Sequence, residues 1–119
     1  NFARLSWGDR ARAEPVVIRR APSLMLGDVT VEPPPGVFLQ ATKRTEVTMR
    51  AAVTAWLGDA AHVADLFAGI GALTLGRTGS LSLFESDEPA VTSINAVARK
   101  PGGNRVVAHR RDLFRNALT

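Results

Sequence analysis

The segment Asp65-Leu66-Phe67-Ala68-Gly69-Ile70-Gly71 carries the residue types from which ligand-binding turns are made. Gly69 and Gly71 leave room for backbone to approach a ligand, and a helix starting behind them would offer it free N–H groups. A Gly-x-Gly pair alone is a weak signal, which a tight structural turn explains equally well. A dinucleotide fingerprint would need a third glycine at position 74, where Thr74 stands, and this disfavours a nicotinamide or flavin site. Glu85 closes the apolar run Leu81 to Phe84, where its carboxylate could accept two hydrogen bonds from a ribose diol. The same acid also suits a helix start, which favours negative charge. Asp112 follows a third apolar run and has a similar choice between facing a ligand and capping a helix at Leu113-Phe114.

These three positions meet only if the elements beneath them are parallel neighbours. His62 to Phe67 reads as a buried strand, and the glycine turn leads into a short predicted helix through Leu75. Leu81 to Glu85 is a second strand. Ser86 and Asp87 open a helix whose inward face is Val91, Ile94 and Val97–Ala98. Pro101-Gly102-Gly103-Asn104 breaks that helix, and Arg105 to Ala108 forms a third strand. Strand, helix, strand, helix, strand specifies an α/β fold with parallel strands, so the glycine turn, Glu85 and Asp112 should share one rim. Upstream, Thr42 caps a helix from Lys43 to Leu57 closed by Gly58, and Met49, Val53 and Trp56 are predicted as its buried face.

Residues 1–36 have a different character. Residues 1–12 mix Arg4, Arg10 and Arg12 with Phe2, Leu5 and Trp7 and show no sustained period. Pro15 to Ile18, Leu24 to Leu26 and Val29 to Val31 read as short strands, the last two joined at Gly27-Asp28. Pro33-Pro34-Pro35-Gly36 then stops sheet pairing, because three successive residues lack an N–H.

With 119 residues, the chain has material for one compact domain. It contains no cysteine, which excludes disulfides, thiolate metal sites and a cysteine nucleophile within these residues. His62 and His109 stand alone and far apart, so no metal site is expected. No apolar run approaches the roughly 20 residues that span a bilayer, and no signal peptide opens the chain. Together with the missing cysteine, this favours the cytoplasm. The chain opens at Asn1 rather than Met, which points to trimming from something longer. The net charge is +4, and all of the 15 basic residues except Lys43 and Lys100 are Arg. Such a balance permits phosphate contact, and equally describes a solvated Arg-rich surface.

Asp65 to Gly71 resembles the first motif of class I S-adenosylmethionine (SAM) methyltransferases. Pro34-Pro35-Gly36-Val37-Phe38-Leu39-Gln40 is similar to the Pro-Gly-x-Phe-x-Gln segment of the RNA uracil-5 methyltransferases, which make 5-methyluridine in tRNA and rRNA. The glycine motif is widespread, and its pairing with Phe38-Leu39-Gln40 is more specific. The resemblance runs from about Arg4 to Phe114. It implies a partial Rossmann-like class I methyltransferase sheet preceded by a short β-rich segment, with residues 1–36 ending a preceding domain and 37–119 forming the SAM-binding half.

By the same resemblance, the SAM contacts fall on Gln40, Asp65, Phe67, Gly69, Gly71, Ala72, Glu85 and Asp112. Glu85 would hold the ribose hydroxyls, Asp112 would lie near the adenine, and Gln40 would position the amino-acid end. Phe67 would pack on the ligand, and reads equally well as a core residue. Ala72 stands where relatives often carry a polar residue, so only its backbone could contribute. The family attacks carbon 6 of uracil with a cysteine thiolate and removes the carbon-5 proton with a carboxylate base. Neither group has a counterpart here, so no catalytic residue is assigned and no turnover is expected from this chain alone. By the same resemblance the strand at His62 is central in the full sheet, and its other neighbour belongs to the missing half. Here it is therefore expected to show an open edge beside a bare apolar sheet face, which invites self-association, a swapped strand or further protein.

Two other functions compete. A DNA cytosine-5 methyltransferase has a similar glycine motif, but the β-rich lead-in and Phe38-Leu39-Gln40 speak against it. A non-catalytic basic RNA-binding module could use Arg10, Arg12, Arg19, Arg20, Arg110, Arg111 and Arg115, yet it lacks an aromatic-rich strand for base stacking.

Overall fold

The computed structural model describes residues 2–9, 12–100 and 105–119. The predicted helix break at Pro101 to Asn104 and the candidate phosphate contact Arg10 lie outside them. Nine elements follow in order: β1 (Arg4–Gly8), β2 (Ala13–Ile18), β3 (Leu24–Leu26), β4 (Val29–Val31), α1 (Lys43–Leu57), β5 (His62–Leu66), β6 (Ser80–Glu85), α2 (Glu88–Ala98) and β7 (Val106–Arg110).

The chain is α/β. Its centre is a three-stranded parallel sheet of order β5-β6-β7, compatible with part of a Rossmann-like fold. Registers Leu66↔Phe84 and Glu85↔Arg110 align the carboxyl ends of the three strands. Strand alternation divides the side chains between two faces. Leu81 and Leu83 of β6 and Ala108 of β7 face α2, whose Ala90, Val91, Ile94 and Val97 are buried against them. Asp87 caps α2 by accepting from the Ala90 N–H at 3.0 Å, and Pro89 sits in the first turn, where its missing N–H costs nothing. Asn95 ties the helix to β7 through bonds to both the N–H and the carbonyl of Ala108, each 3.1 Å.

The β3–β4 hairpin turns on Gly27-Asp28, with Gly27 at φ 65°, and contributes Leu26 and Val31 to the same core. The β1–β2 hairpin pairs with itself around an irregularity at Leu5/Ser6 and leaves Leu5, Trp7, Val16 and Ile18 exposed. β1 was not legible as a strand, because only Leu5 and Trp7 alternate within a polar, arginine-rich run.

Three expectations fail. The helix predicted between Gly71 and Leu75 is a series of turns, closing one i→i+4 bond from the Leu75 N–H to the Gly71 carbonyl. Gly76 at φ 83° and Gly79 at φ 87° take backbone conformations that a helix cannot use. The crossover from β5 to β6 is therefore irregular, and only β6 to β7 is joined through a helix. The second failure concerns α1. Its boundaries and its Thr42 cap, which accepts from the Thr45 N–H at 3.1 Å, match the sequence. Of its predicted buried face only Val53 turns inward, since Trp56 is 85% exposed and Met49 is also exposed. The inward stripe is instead Glu46, Arg50, Val53 and Leu57, with Glu46 buried and paired to Lys43 at 2.7 Å. Polar arms dock this helix, so hydrophobic periodicity named the wrong stripe. Third, Phe67 is no core residue, being 58% exposed.

β5 lies at one edge of the sheet, with β6 as its only strand partner among the described residues. The sheet face away from α2 carries exposed Leu66 and Val107, and Phe84 stacked on His109 at 4.9 Å between ring centroids.

Candidate functional site

The turn after β5 starts with backbone strain. Phe67 has φ 57°, an uncommon value for a residue with a Cβ. Its ring packs on that of Phe114, centroids 5.1 Å apart and planes inclined by 47°. An aromatic pair thus stands at the rim of the sheet.

Gly69 follows at φ 57°, and its N–H donates to Glu85 Oε2 at 2.8 Å. The opposite strand end is thereby locked to the turn. A Cβ at Gly69 would meet no heavy atom within 4 Å, whereas one at Gly71 (φ 74°) would lie 2.7 Å from Leu75 Cγ and 2.8 Å from Leu83 Cδ2. The two glycines therefore serve different ends. Gly69 keeps open backbone beside the cleft, while Gly71 lets the turn descend onto the core.

Glu85 is the most highly bonded acid of the site. Its Oε1 accepts from the Ser86 N–H at 2.7 Å, the Asp87 N–H at 2.9 Å and the Ser86 hydroxyl at 3.1 Å. Partial burial pushes its pKa up. The N–H groups of Asp87, Gly69 and Ser86 and the Ser86 hydroxyl outweigh that push and hold the carboxyl below its ordinary range. It is a fixed negative charge at neutral pH. Ser86 was named in the sequence only as part of a helix mouth; its place next to a strand-ending acid is the signal for this bonding role.

Asp65 behaves in the opposite way. Burial raises its pKa, the Thr74 hydroxyl donating to Oδ2 lowers it, and the negative charge of Glu85 raises it again, with a net upward shift. Thr74, which seemed only a missing glycine, is a buried partner of the first acid of the motif. Ala72 turns its carbonyl to the Arg50 guanidinium, which also bonds the Leu75 carbonyl. Arg50 clamps the crossover from outside, a role that no motif announced.

Two clefts flank this rim. One of about 340 Å³ is lined by Gly36, Val37, Phe38, Gly69, Glu85 and neighbouring residues of β2 and α2. Gln40 is half-buried two residues beyond Phe38 and is not part of that lining. The other, about 540 Å³, is lined by Ser86, Arg110, Arg111, Asp112 and Asn116. Asp112 reaches the same rim because the Arg111 N–H donates to the Glu85 carbonyl at 2.7 Å. Its Oδ1 accepts from the N–H groups of Phe114 at 3.0 Å and Arg115 at 3.3 Å, so it caps a turn rather than the helix foreseen there. The glycine turn, Glu85 and Asp112 converge, as the parallel strand order requires.

Among the described residues no cluster of three or more His, Asp or Glu side chains could hold a metal ion, and no helix is long and apolar enough to cross a membrane. The fold and site define an α/β chain with a glycine turn and an ionised strand-end acid at the carboxyl edge of a parallel sheet.

The chain is 42% identical over 120 residues to an uncharacterized RNA methyltransferase of Rhizobium meliloti, covering 98% of this chain and 28% of that protein. It is 45% identical over 121 residues to an uncharacterized RNA methyltransferase of Mesorhizobium japonicum, and 41% identical over 121 residues to one of Brucella suis, each covering 99% of this chain and 28% of the relative. The chain thus spans little more than a quarter of the length of the curated relatives it matches. No family model matches it.

Proposed function

We propose that this chain is the SAM-binding part of an RNA methyltransferase acting on carbon 5 of uridine in tRNA or rRNA. The observation that carries the reading is the bond from the Gly69 N–H to an ionised Glu85 at the carboxyl edge of the sheet. It is supported by relatives named as RNA methyltransferases that match nearly the whole chain. Residues 37–119 are the cofactor-binding half in this proposal, and residues 1–36 the end of a preceding domain whose β3–β4 hairpin docks on the α2 core.

The residues suit an adenosyl ligand. Clefts of about 340 and 540 Å³ fall within the range of roughly 300–1,000 Å³ usual for small-ligand sites. Glu85 Oε2 has a single backbone donor, which leaves it acceptor capacity for a ribose hydroxyl. The rotatable Ser86 hydroxyl can vacate Oε1 for a second. Gly69 presents no side chain to the cleft, and Asp112 borders the adjoining one. Gln40, Asp65, Phe67, Gly71 and Ala72 complete the proposed set, with Gly71 and Asp65 shaping the turn rather than meeting the ligand. Bound SAM supplies an electrophilic methyl group. This chain's own residues bind and orient; with no cysteine to add to a uracil ring, they do not complete the transfer.

Calorimetry with SAM tests the proposal, with NAD as the competing ligand. The expected outcome is binding of SAM and not NAD, weakened about tenfold or more by Glu85→Gln, which removes a charged acceptor worth roughly 1.5–3 kcal/mol. Undiminished affinity in a folded variant would overturn the ribose assignment. Methyl transfer to uridine-containing RNA by this chain alone would overturn its restriction to cofactor binding.

A further inference from the structure

We infer that the cleft between α1 and the β5–β6 crossover is an anion site fitted to a phosphate group. It shares no lining residue with either cleft at the rim, so the inference stands apart from the proposed cofactor. Its volume is about 270 Å³, below the roughly 300–1,000 Å³ usual for drug-sized ligands, which suits a small ion. Arg50, Thr54 and Leu57 enter it from α1, and Leu73, Arg77 and Thr78 from the crossover.

The charge balance of this cleft is one-sided. Both arginines are half-buried, and no Asp or Glu lines the cleft among the described residues. Neither guanidinium forms an ion pair there. Asp28 stands over Gly76, where a Cβ would lie 2.8 Å from its Oδ1, without lining the cleft or pairing with either arginine. The arginines bond carbonyls instead. Arg50 donates to those of Ala72 and Leu75, and Arg77 Nη2 donates to that of Ala60 at 2.9 Å. These dipoles, with roughly half an elementary charge at the C-terminal end of α1, offset only part of two full positive charges. Arg77 Nη1 is buried and has no hydrogen-bond partner, a costly state for a charged donor. Gly79, at φ 87°, leaves it room, since a Cβ there would lie 3.1 Å from Nη1.

The donor set favours phosphate over a carboxylate. Each guanidinium carries five N–H donors in a fixed fork, so both retain donors beyond their carbonyl bonds. The hydroxyls of Thr54 and Thr78 add to them, and arginine with threonine is a common combination around phosphate oxygens. A carboxylate has two oxygens to share among these groups, whereas a phosphate has more and meets both forks. Such a group comes either as the free ion or within the backbone of RNA.

NMR of the arginine Nε–H signals during titration with inorganic phosphate at constant ionic strength tests the site. We expect saturable shifts at Arg50 and Arg77, with a dissociation constant raised about tenfold by Arg77→Gln, which removes a charged donor. Thr78→Val, at an exposed position, should raise it about threefold and keeps the test open should Arg77→Gln fail to fold. A short oligouridylate that moves the same signals at lower concentration supports the site with RNA backbone as its ligand, and a response to phosphate alone supports it with the free ion. Absence of a saturable shift overturns the inference, as does the same response to chloride, which would show screening only. Unchanged affinity in both folded variants also overturns it. So does acetate binding as tightly as phosphate, which would mark a seat for a carboxylate side chain of further protein.

Discussion

Gly69 and Gly71 look alike in sequence and differ in what they touch. Gly71→Val drives a branched side chain into Leu75 and Leu83 from a left-handed backbone. It should unfold the turn, with a loss of several kcal/mol in denaturant titration, of the kind overpacking and strain produce together (~2–5 kcal/mol). Gly69→Ala meets open space and costs only its strained φ, about 1–2 kcal/mol. Its reporter is SAM affinity rather than stability. Glu85 and Asp65 likewise separate once their partners are known. The folded-state pKa of Asp65 is raised, so its contribution to stability falls as pH rises from the unfolded value of 3.8 through the folded one. Asp65→Asn retains an acceptor for Thr74 and should raise the melting temperature at neutral pH, the gain vanishing as pH falls below about 3.8. Glu85 has the opposite sign: its lowered pKa contributes stability above the unfolded value of 4.5, lost as pH falls through the folded one. Melting curves of the wild type and both Asn and Gln variants across this range separate the two slopes.

Among the elements, those with strong local signals were legible. α1 follows its Thr42 cap and Gly58 stop, and β3–β4 follows its Gly27-Asp28 turn. α2 was legible on both counts, because its period and its neighbours agree: Ile94 is fully buried on a helix that packs against β7, β4 and β6. Ile94→Ala should cost about 2–5 kcal/mol, measured by chemical denaturation, since a cavity in the centre of a single small core has little freedom to collapse. α1 departs from its apolar period. A 3.6-residue apolar stripe says that a surface is fit for burial, but not that this chain supplies its cover. Met49 and Trp56 stand in solvent, while Arg50 docks the helix on the Ala72 and Leu75 carbonyls and Lys43, paired to the buried Glu46 of its own helix, bonds the Met25 carbonyl. The crossover after β5 failed for another reason. A short helix through Leu75 was expected there, and the positive-φ glycines at 71, 76 and 79 overrode it.

Taken as a whole, the molecule buries one face of its parallel sheet and leaves the other bare, with Leu66, Phe84, His109 and Val107 outward and the aromatic pair Phe67–Phe114 at its rim. An exposed apolar sheet face of this kind is a surface fit for burial against further protein. The positions of the strands other than β1, the type of each glycine and acid, and the order that sends three strand ends to one rim all follow from the linear chain, since each depends on neighbours within a few residues or on a connection rule. Which glycine faces open space, which stripe of α1 turns inward, and why two acids of one rim hold protons so differently depend on contacts between residues such as Gly69 and Glu85, 16 positions apart, or Arg50 and Ala72, 22 apart. Those contacts exist only after the chain has folded back on itself, because burial and hydrogen-bond geometry are properties of the assembled environment and not of any local stretch.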